Sequence, residues 1–285
     1  MVETVYLDSY AESESIFADL SQPVGDWFKE TFPDFTEPQK LAIPSIIAGK
    51  HLLLCSPTGS GKTLTAFLSI LDNLIRKSLN GELEERVYCV YISPIKALAN
   101  DIQKNLIGPL TEIRERFLPS SAKEIRVGLR TGDTSQSERQ KMLRKPPHIL
   151  ITTPESLALT LASKRFRPHY SKLSWLVIDE MHSLVPTKRG VHLALSLSLL
   201  DTVIETPVQR IGISATMEPL EQVAHYLVSS DRREEEGVDQ KVYIAKVSGA
   251  RGLDLRSAGR RGREEWNSPL PPSPSQNNTR SHHTP

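Results

Sequence analysis

Two cysteines in 285 residues, Cys55 and Cys89, leave nothing for a disulfide framework or a cysteine metal cluster. Both lie inside apolar runs, which reads as buried free thiols in a reducing compartment. No stretch approaches the roughly 18 uncharged apolar residues of a membrane helix. The acidic start, Met1 to Asp19, also lacks the basic and apolar regions of a signal peptide. A cytoplasmic protein without a membrane partner is therefore expected. Charge of one sign is missing too: 35 basic against 34 acidic residues, a net +1, exclude a polybasic binder. Any contact with a polyanion has to rely on local geometry, such as helix N-termini, backbone N–H groups and hydroxyls, which position phosphates without reading sequence.

What the chain does have is Ser56-Pro-Thr58-Gly59-Ser60-Gly61-Lys62-Thr63 between an apolar run, Leu52 to Cys55, and Leu64, Phe67, Leu71, Leu74 and Ile75 at helical spacing. A glycine-rich turn from strand to helix directs successive N–H groups at an anion on the helix's positive end. The pattern is that of a phosphate-binding loop: Lys62 reaches the β and γ phosphates and the Thr63 hydroxyl ligates Mg²⁺. The strict pattern opens on Gly, where this chain has Ser56. Asp179-Glu180-Met181-His182 ends a second apolar run, Trp175 to Ile178. A carboxylate pair at a strand end says little alone. After a phosphate loop it reads as a magnesium and water site, Asp179 holding the metal through water and Glu180 polarising the attacking water. The two segments together specify a nucleoside triphosphatase.

Strand and helix patterns alternate along the chain. Arg86 to Ser93, Ile125 to Arg130, Ile149 to Thr153, Leu176 to Ile178 and Arg210 to Ser214 read as strands. Helical spacings follow, such as Leu98, Ile102 and Leu106, or Leu193, Leu195, Leu199 and Val203. An α/β fold is expected, one mostly parallel sheet with helices on both faces and ligands at the carboxyl ends of its strands.

Further segments fall in a recognisable order: Phe35-Thr-Glu-Pro-Gln39, Tyr91-Ile-Ser-Pro-Ile-Lys-Ala-Leu-Ala-Asn100, Thr131-Gly-Asp133, Thr152-Thr-Pro-Glu155 and Ser214-Ala-Thr216. With the two above they resemble the Q motif and motifs I, Ia, Ib, II and III of superfamily 2 helicases of the DExH-box type. Ser93 to Asn100, Thr187 to Ser196 and Ala250 to Arg256 look, more closely, like the large helicase-related (Lhr) proteins of archaea and bacteria. That resemblance runs from about Trp27 to Arg256. It implies a RecA-like P-loop domain over 27–230, after an N-terminal extension over 1–26. The implied activity is ATP-driven 3′ to 5′ translocation on single-stranded or forked DNA, with unwinding of DNA or RNA–DNA hybrids. The cofactors implied are ATP and Mg²⁺. The family pattern assigns Gln39 to the adenine edge, and Thr58, Gly59, Ser60, Gly61, Lys62 and Thr63 to the phosphates. Lys62, Asp179, Glu180 and His182 are the catalytic set, with Thr63 and Asp179 as metal ligands. Ser214 and Thr216, together with His182, are assigned to coupling, and Pro94, Lys96, Thr131, Gly132, Thr153 and Pro154 to the nucleic-acid groove. The groove residues also suit ordinary strand-end turns.

Past Arg256 the composition changes. Arg260, Arg261 and Arg263 form a short basic run, and Asn267 to Pro285 holds Pro, Ser, Asn, Thr and His with a single Leu. Such a segment buries too little apolar surface to offset its ordering entropy, so 257–285 is expected to be a disordered tail. Residues 231–256 read as the start of a linker towards a second RecA-like domain, which the family needs in cis or in trans to complete the ATP site. A truncation or frameshift past Arg256, and little activity for the chain alone, are the expectations. Two other classes stay open: a nucleotide-gated binding module without turnover, and the translocase part of a larger complex.

Overall fold

The computed structural model describes residues 2–94, 99–215, 217–228 and 240–247. The expected tail at 257–285, Lys96, Thr216 and all of 231–256 outside 240–247 lie outside the described residues.

Leu52, Leu53, Leu54 and Cys55 are all fully buried, and so are Cys89, Val90, Tyr91 and Ile92. An unbroken apolar strand needs cover on both faces, which a parallel sheet between helices provides. Eight strands form it: β1 (Val2–Leu7), β2 (His51–Cys55), β3 (Cys89–Ile92), β4 (Val127–Arg130), β5 (Ile149–Thr152), β6 (Trp175–Ile178), β7 (Gln209–Ser214) and β8 (Gln240–Lys246). They lie in the order β1-β8-β2-β7-β6-β3-β5-β4, every neighbouring pair parallel.

The helices are α1 (Ser13–Asp19), α2 (Gln22–Thr31), α3 (Glu37–Ile47), α4 (Lys62–Leu79), α5 (Ala99–Ile102), α6 (Gly108–Phe117), α7 (Gln136–Arg144), α8 (Pro154–Ala162), α9 (Met181–Leu184), α10 (Lys188–Asp201) and α11 (Leu220–Val228). The pleat sends alternate strand residues to opposite faces. Leu52, Leu54, Ile211 and Ile213 join one cluster with α1 to α4 and α6, whereas Leu53, Cys55, Val90 and Ile92 join another with α8 to α11. All five apolar positions expected on α4 are buried, Phe67 and Leu71 completely. On α10 the expected face is only partly right. Leu193, Leu197 and Leu200 are buried there, while Leu195 is 68% and Leu199 40% exposed. Among the described residues no helix is long and apolar enough to cross a membrane.

The sheet reaches beyond the expected boundaries. Residues 1–26, read as an extension, supply β1, which pairs with β8 from Val2↔Gln240 to Leu7↔Ala245. They also bring Ile16 and Val24 into the core at 0% exposure. Within the segment read as linker, β8 lies between β1 and β2, with Val242 and Ile244 fully buried. All these residues fall within one compact unit, Met1–Gly249.

Candidate active site along the carboxyl edge

The strands end flush. Cys55 pairs with Ser214, Ile178 with Gly212 and Ile92, and Thr152 with Ile92 and Arg130. The segments after β2, β7 and β6 therefore leave the sheet on one half of a common edge, and those after β3, β5 and β4 on the other.

The loop after β2 is built as its residue types require. Gly59 and Gly61 take φ of 78° and 88°, the left-handed region that favours glycine. Gly61 caps α4, and its φ rather than crowding calls for glycine, since a Cβ there would stand 3.4 Å from Nε2 of Gln39, an ordinary contact. Ser56 is fully buried, its Oγ 2.5 Å from Oγ of Ser60, which in turn donates to the Pro57 carbonyl at 2.8 Å. The departure from Gly at Ser56 is thus absorbed inside the loop. Nζ of Lys62 donates to the carbonyls of Ser56 and Pro57, both at 2.6 Å. An ammonium has three protons, so one remains for an anion in the mouth of the loop. Burial lowers the Lys62 pKa, and Glu180 and Asp179 work against that shift.

Gln39 lies under the same loop, 3% exposed. It closes a capping box at the start of α3, with its Oε1 accepting the Thr36 N–H at 2.8 Å. Thr36 Oγ1 in turn donates to the Ser60 carbonyl at 3.2 Å. Thr58 to Thr63, Gln39, Asp179 and Glu180 line a common cleft of about 730 Å³. A larger cleft, about 1020 Å³, lies between α6, β4 and α7 and contains none of these residues.

Asp179 is 4% exposed. Its Oδ1 accepts the Glu180 N–H at 2.8 Å, and its Oδ2 accepts from the Tyr91 hydroxyl. Burial raises its pKa to about 6 against these two donors. Glu180 has φ of 53°, the one positive value outside glycine among the described residues. A non-glycine residue held there is uncommon and concentrates at functional turns. His182 lies one step further on. Its Nε2 is 3.1 Å from Oε2 of Glu180, while its Nδ1 accepts the Ala215 N–H at 3.2 Å and lies 3.5 Å from Ser214 Oγ. That pattern sets the tautomer, with the proton on Nε2 facing the carboxylate. The imidazole thereby joins the carboxylate after β6 to the backbone after β7.

Thr63 and Asp179 suit a hard cation, an oxygen from each on the wall of the same cleft. Among the described residues no three His, Cys, Asp or Glu gather as a metal cage. A cation here would take its other ligands from phosphate and water.

On the other half, Pro94 and Pro154 are buried and Thr153 is 7% exposed. The Thr153 hydroxyl accepts the Ser156 N–H at 3.3 Å and caps α8. What this part of the edge presents is backbone and a helix N-terminus more than those side chains. Gly132 is exposed, and Thr131 is half-buried. Their turn is held by Arg139, which donates to the Thr134 carbonyl at 2.8 Å and the Gly132 carbonyl at 3.0 Å. Arg189 of α10 ties two segments together. It forks onto Glu155 at 2.7 and 3.1 Å and donates to the Pro94 carbonyl at 3.0 Å. The guanidinium holds the Glu155 carboxyl down at about 2. Tyr91, Arg139 and Arg189 are absent from the residues picked by sequence. The one signal available was for Tyr91, a hydroxyl in a fully apolar strand that must find a partner.

A family model described as DEAD/DEAH box helicase matches residues 36–223. The chain belongs to the DEAD/DEAH box helicase family. The match takes in the loop, the Asp179–His182 run and Ser214. Within the family this chain is similar to the ATP-dependent helicase Lhr-Core of Methanothermobacter thermautotrophicus, at 49% identity over 244 residues, 85% of this chain and 28% of that protein. It is 44% identical over 227 residues to the Lhr helicase/uracil glycosylase of Escherichia coli, covering 76% of this chain and 14% of that protein. A solved structure of Mycobacterium smegmatis helicase Lhr bound to ssDNA and AMP-PNP superposes with a TM-score of 0.71 at 39% identity, over 82% of this chain and 28% of that one. The chain thus spans between about a seventh and about a quarter of the length of these relatives. The RecA-like fold expected from the motifs is the one the likeness supports.

Proposed function

We propose that this chain is the ATP-binding core of an Lhr-type helicase, taking ATP with Mg²⁺ at the ends of β2 and β6 and a single strand of nucleic acid across the ends of β3, β5 and β4. The observation that carries the reading is the convergence of Lys62, Asp179 and Glu180 on one cleft, with His182 bonded both to the Glu180 carboxylate and to the segment after β7. A simple nucleotide-gated binding module has no need of that carboxylate and its imidazole.

In this reading the N–H groups from Gly59 to Thr63 cradle the phosphates, and Lys62 leaves its two carbonyls for the β and γ oxygens. Thr63 and Asp179 would hold Mg²⁺, which would supply neutralisation of the charge developing on the phosphates. Glu180 accepts a hydrogen bond from the attacking water and orients it. His182 fixes the Glu180 carboxylate, so a movement of the segment after β7 reaches the water through one ring. Gln39 has a lone pair of Oε1 and its Nε2 left to read N6 and N7 of adenine. The finer reading, 3′ to 5′ movement on DNA with opening of forked DNA or RNA–DNA hybrids, rests on likeness to Lhr, one of whose structures holds ssDNA and AMP-PNP.

No arginine lines the cleft among the described residues. Arginine fingers are worth on the order of 10³ to 10⁵ in phosphoryl-transfer rate, so residues 1–285 alone should bind ATP yet turn it over near background. Steady-state hydrolysis with and without single-stranded DNA tests this. Fusing the second RecA-like domain of a full-length Lhr relative should restore hydrolysis and its stimulation together, and Glu180→Gln should abolish both. Brisk turnover and unwinding by the 285 residues alone would contradict the proposal.

A further inference from the structure

Tyr91 stands in the middle of β3 with its side chain fully buried. Phe67 stacks on the ring at 4.9 Å between centroids, a contact that phenylalanine would make equally well. The hydroxyl needs its own account, because a buried O–H left without a partner costs on the order of 1–3 kcal/mol. It donates to Oδ2 of Asp179. A phenol has one proton and a carboxylate only accepts, so the bond is directed from Tyr91, in the middle of β3, to the first residue past β6. Oδ1 of Asp179 is held separately by the Glu180 N–H at 2.8 Å. With a donor on each oxygen the carboxylate cannot swing.

We infer that Tyr91 is a positioning residue for the divalent cation, orienting the Asp179 carboxylate that would hold it. The inference rests on the nucleotide reading above. It matters at this site because the described residues offer no third carboxylate, histidine or cysteine to complete a cage. With protein ligands this few, their orientation counts for much of the affinity. Groups that orient metal ligands are typically worth 10–100-fold in metal affinity.

Tyr91→Phe keeps the stacked ring and deletes the bond to Asp179. Calorimetric titration with ATP in EDTA, then at a series of Mg²⁺ concentrations, separates nucleotide from metal. The expected result is metal-free ATP affinity within about twofold of the parent, and a half-saturating Mg²⁺ concentration raised about 10–100-fold. Mn²⁺ binds most sites more tightly than Mg²⁺ and should recover part of the loss. In an Asp179→Asn background the same substitution should cost nothing further, since the Tyr91 hydroxyl then has no carboxylate to hold. Should Tyr91→Phe fail to fold, tyrosine labelled with ¹³C at Cζ reports in the parent: the Tyr91 resonance should shift when Mg²⁺ is added to the ATP complex. An unchanged Mg²⁺ dependence, equal losses with and without metal, or a Tyr91 signal indifferent to Mg²⁺ would each overturn the inference. A parent that binds no ATP under any of these conditions would overturn the nucleotide reading, and this inference with it.

Discussion

Gly190 is the third residue of α10, where its N–H is capped by the Thr187 hydroxyl at 3.3 Å. A Cβ placed on it would lie 2.3 Å from the Leu184 carbonyl oxygen and 3.0 Å from the Val185 carbonyl oxygen. Both are backbone atoms, so no rotamer change relieves the clash. Restoring ordinary contact moves the end of α9 by roughly 1 Å, and overpacking of this kind costs about 1–3 kcal/mol. For a chain of this size, each kcal/mol lowers the melting temperature by roughly 2–4 °C. The displaced helix also carries His182, whose contacts to Glu180 and Ala215 stand at 3.1 and 3.2 Å with little to spare. A misplacement of about 1 Å can cost on the order of 10²-fold in rate. Gly190→Ala should therefore melt several degrees lower and, in the two-domain fusion, hydrolyse ATP about 100-fold more slowly. ATP affinity should stay within about twofold, because the phosphate loop rides on β2 and α4. Gly132→Ala is the control: nothing lies within 4 Å of its Cβ, and it should be neutral in stability. Melting and turnover of Gly190→Ala equal to the parent would refute the contact argument and the link from α10 to His182.

Two further outcomes follow from groups away from the reacting atoms. His148 accepts the Arg126 N–H at 3.0 Å, and burial, with Arg126 beside it, lowers its pKa from 6.5 to about 4. The unfolded chain binds the extra proton between those values, so this contribution is complete above about pH 6.5 and is lost as pH falls towards about 4. It amounts to at most about 3 kcal/mol, and denaturant titrations of His148→Gln should show a flatter acid limb than the parent. Gln39→Ala should narrow a preference for ATP over GTP in competition binding, and should also cost about 1 kcal/mol of stability through the lost cap of α3. Equal affinity of the parent for the two nucleotides would leave Gln39 as a capping residue alone.

The parts of the site legible in the sequence are those written in short stretches. The loop needs glycine at positions with φ near 80° and a lysine beside them, so Ser56 to Thr63 declares itself. Asp179 and Glu180 do the same by closing an apolar strand. Long-range pairing is not written locally. β1 and β8 lie far apart in the chain, pairing from Val2↔Gln240, and each reads as an appendage until the other is in place. On α10 the spacing of leucines is helical on both sides, so Leu195 and Leu199 look as suited to the core as Leu193 and Leu197. Which side is buried depends on α8 and the sheet. Tyr91, Arg139 and Arg189 act through carbonyls and carboxylates that only the tertiary fold brings near.

Calorimetric titration of MgATP into the parent and into Lys62→Ala tests the central claim most directly. Lys62 provides the ammonium at the mouth of the loop, and its replacement leaves Gly59, Gly61 and the sheet unchanged. The account predicts saturable one-to-one binding by the parent and loss of detectable binding in a variant that still folds, though it melts lower for want of the two Nζ hydrogen bonds to Ser56 and Pro57. Equal affinities for the two proteins would contradict it.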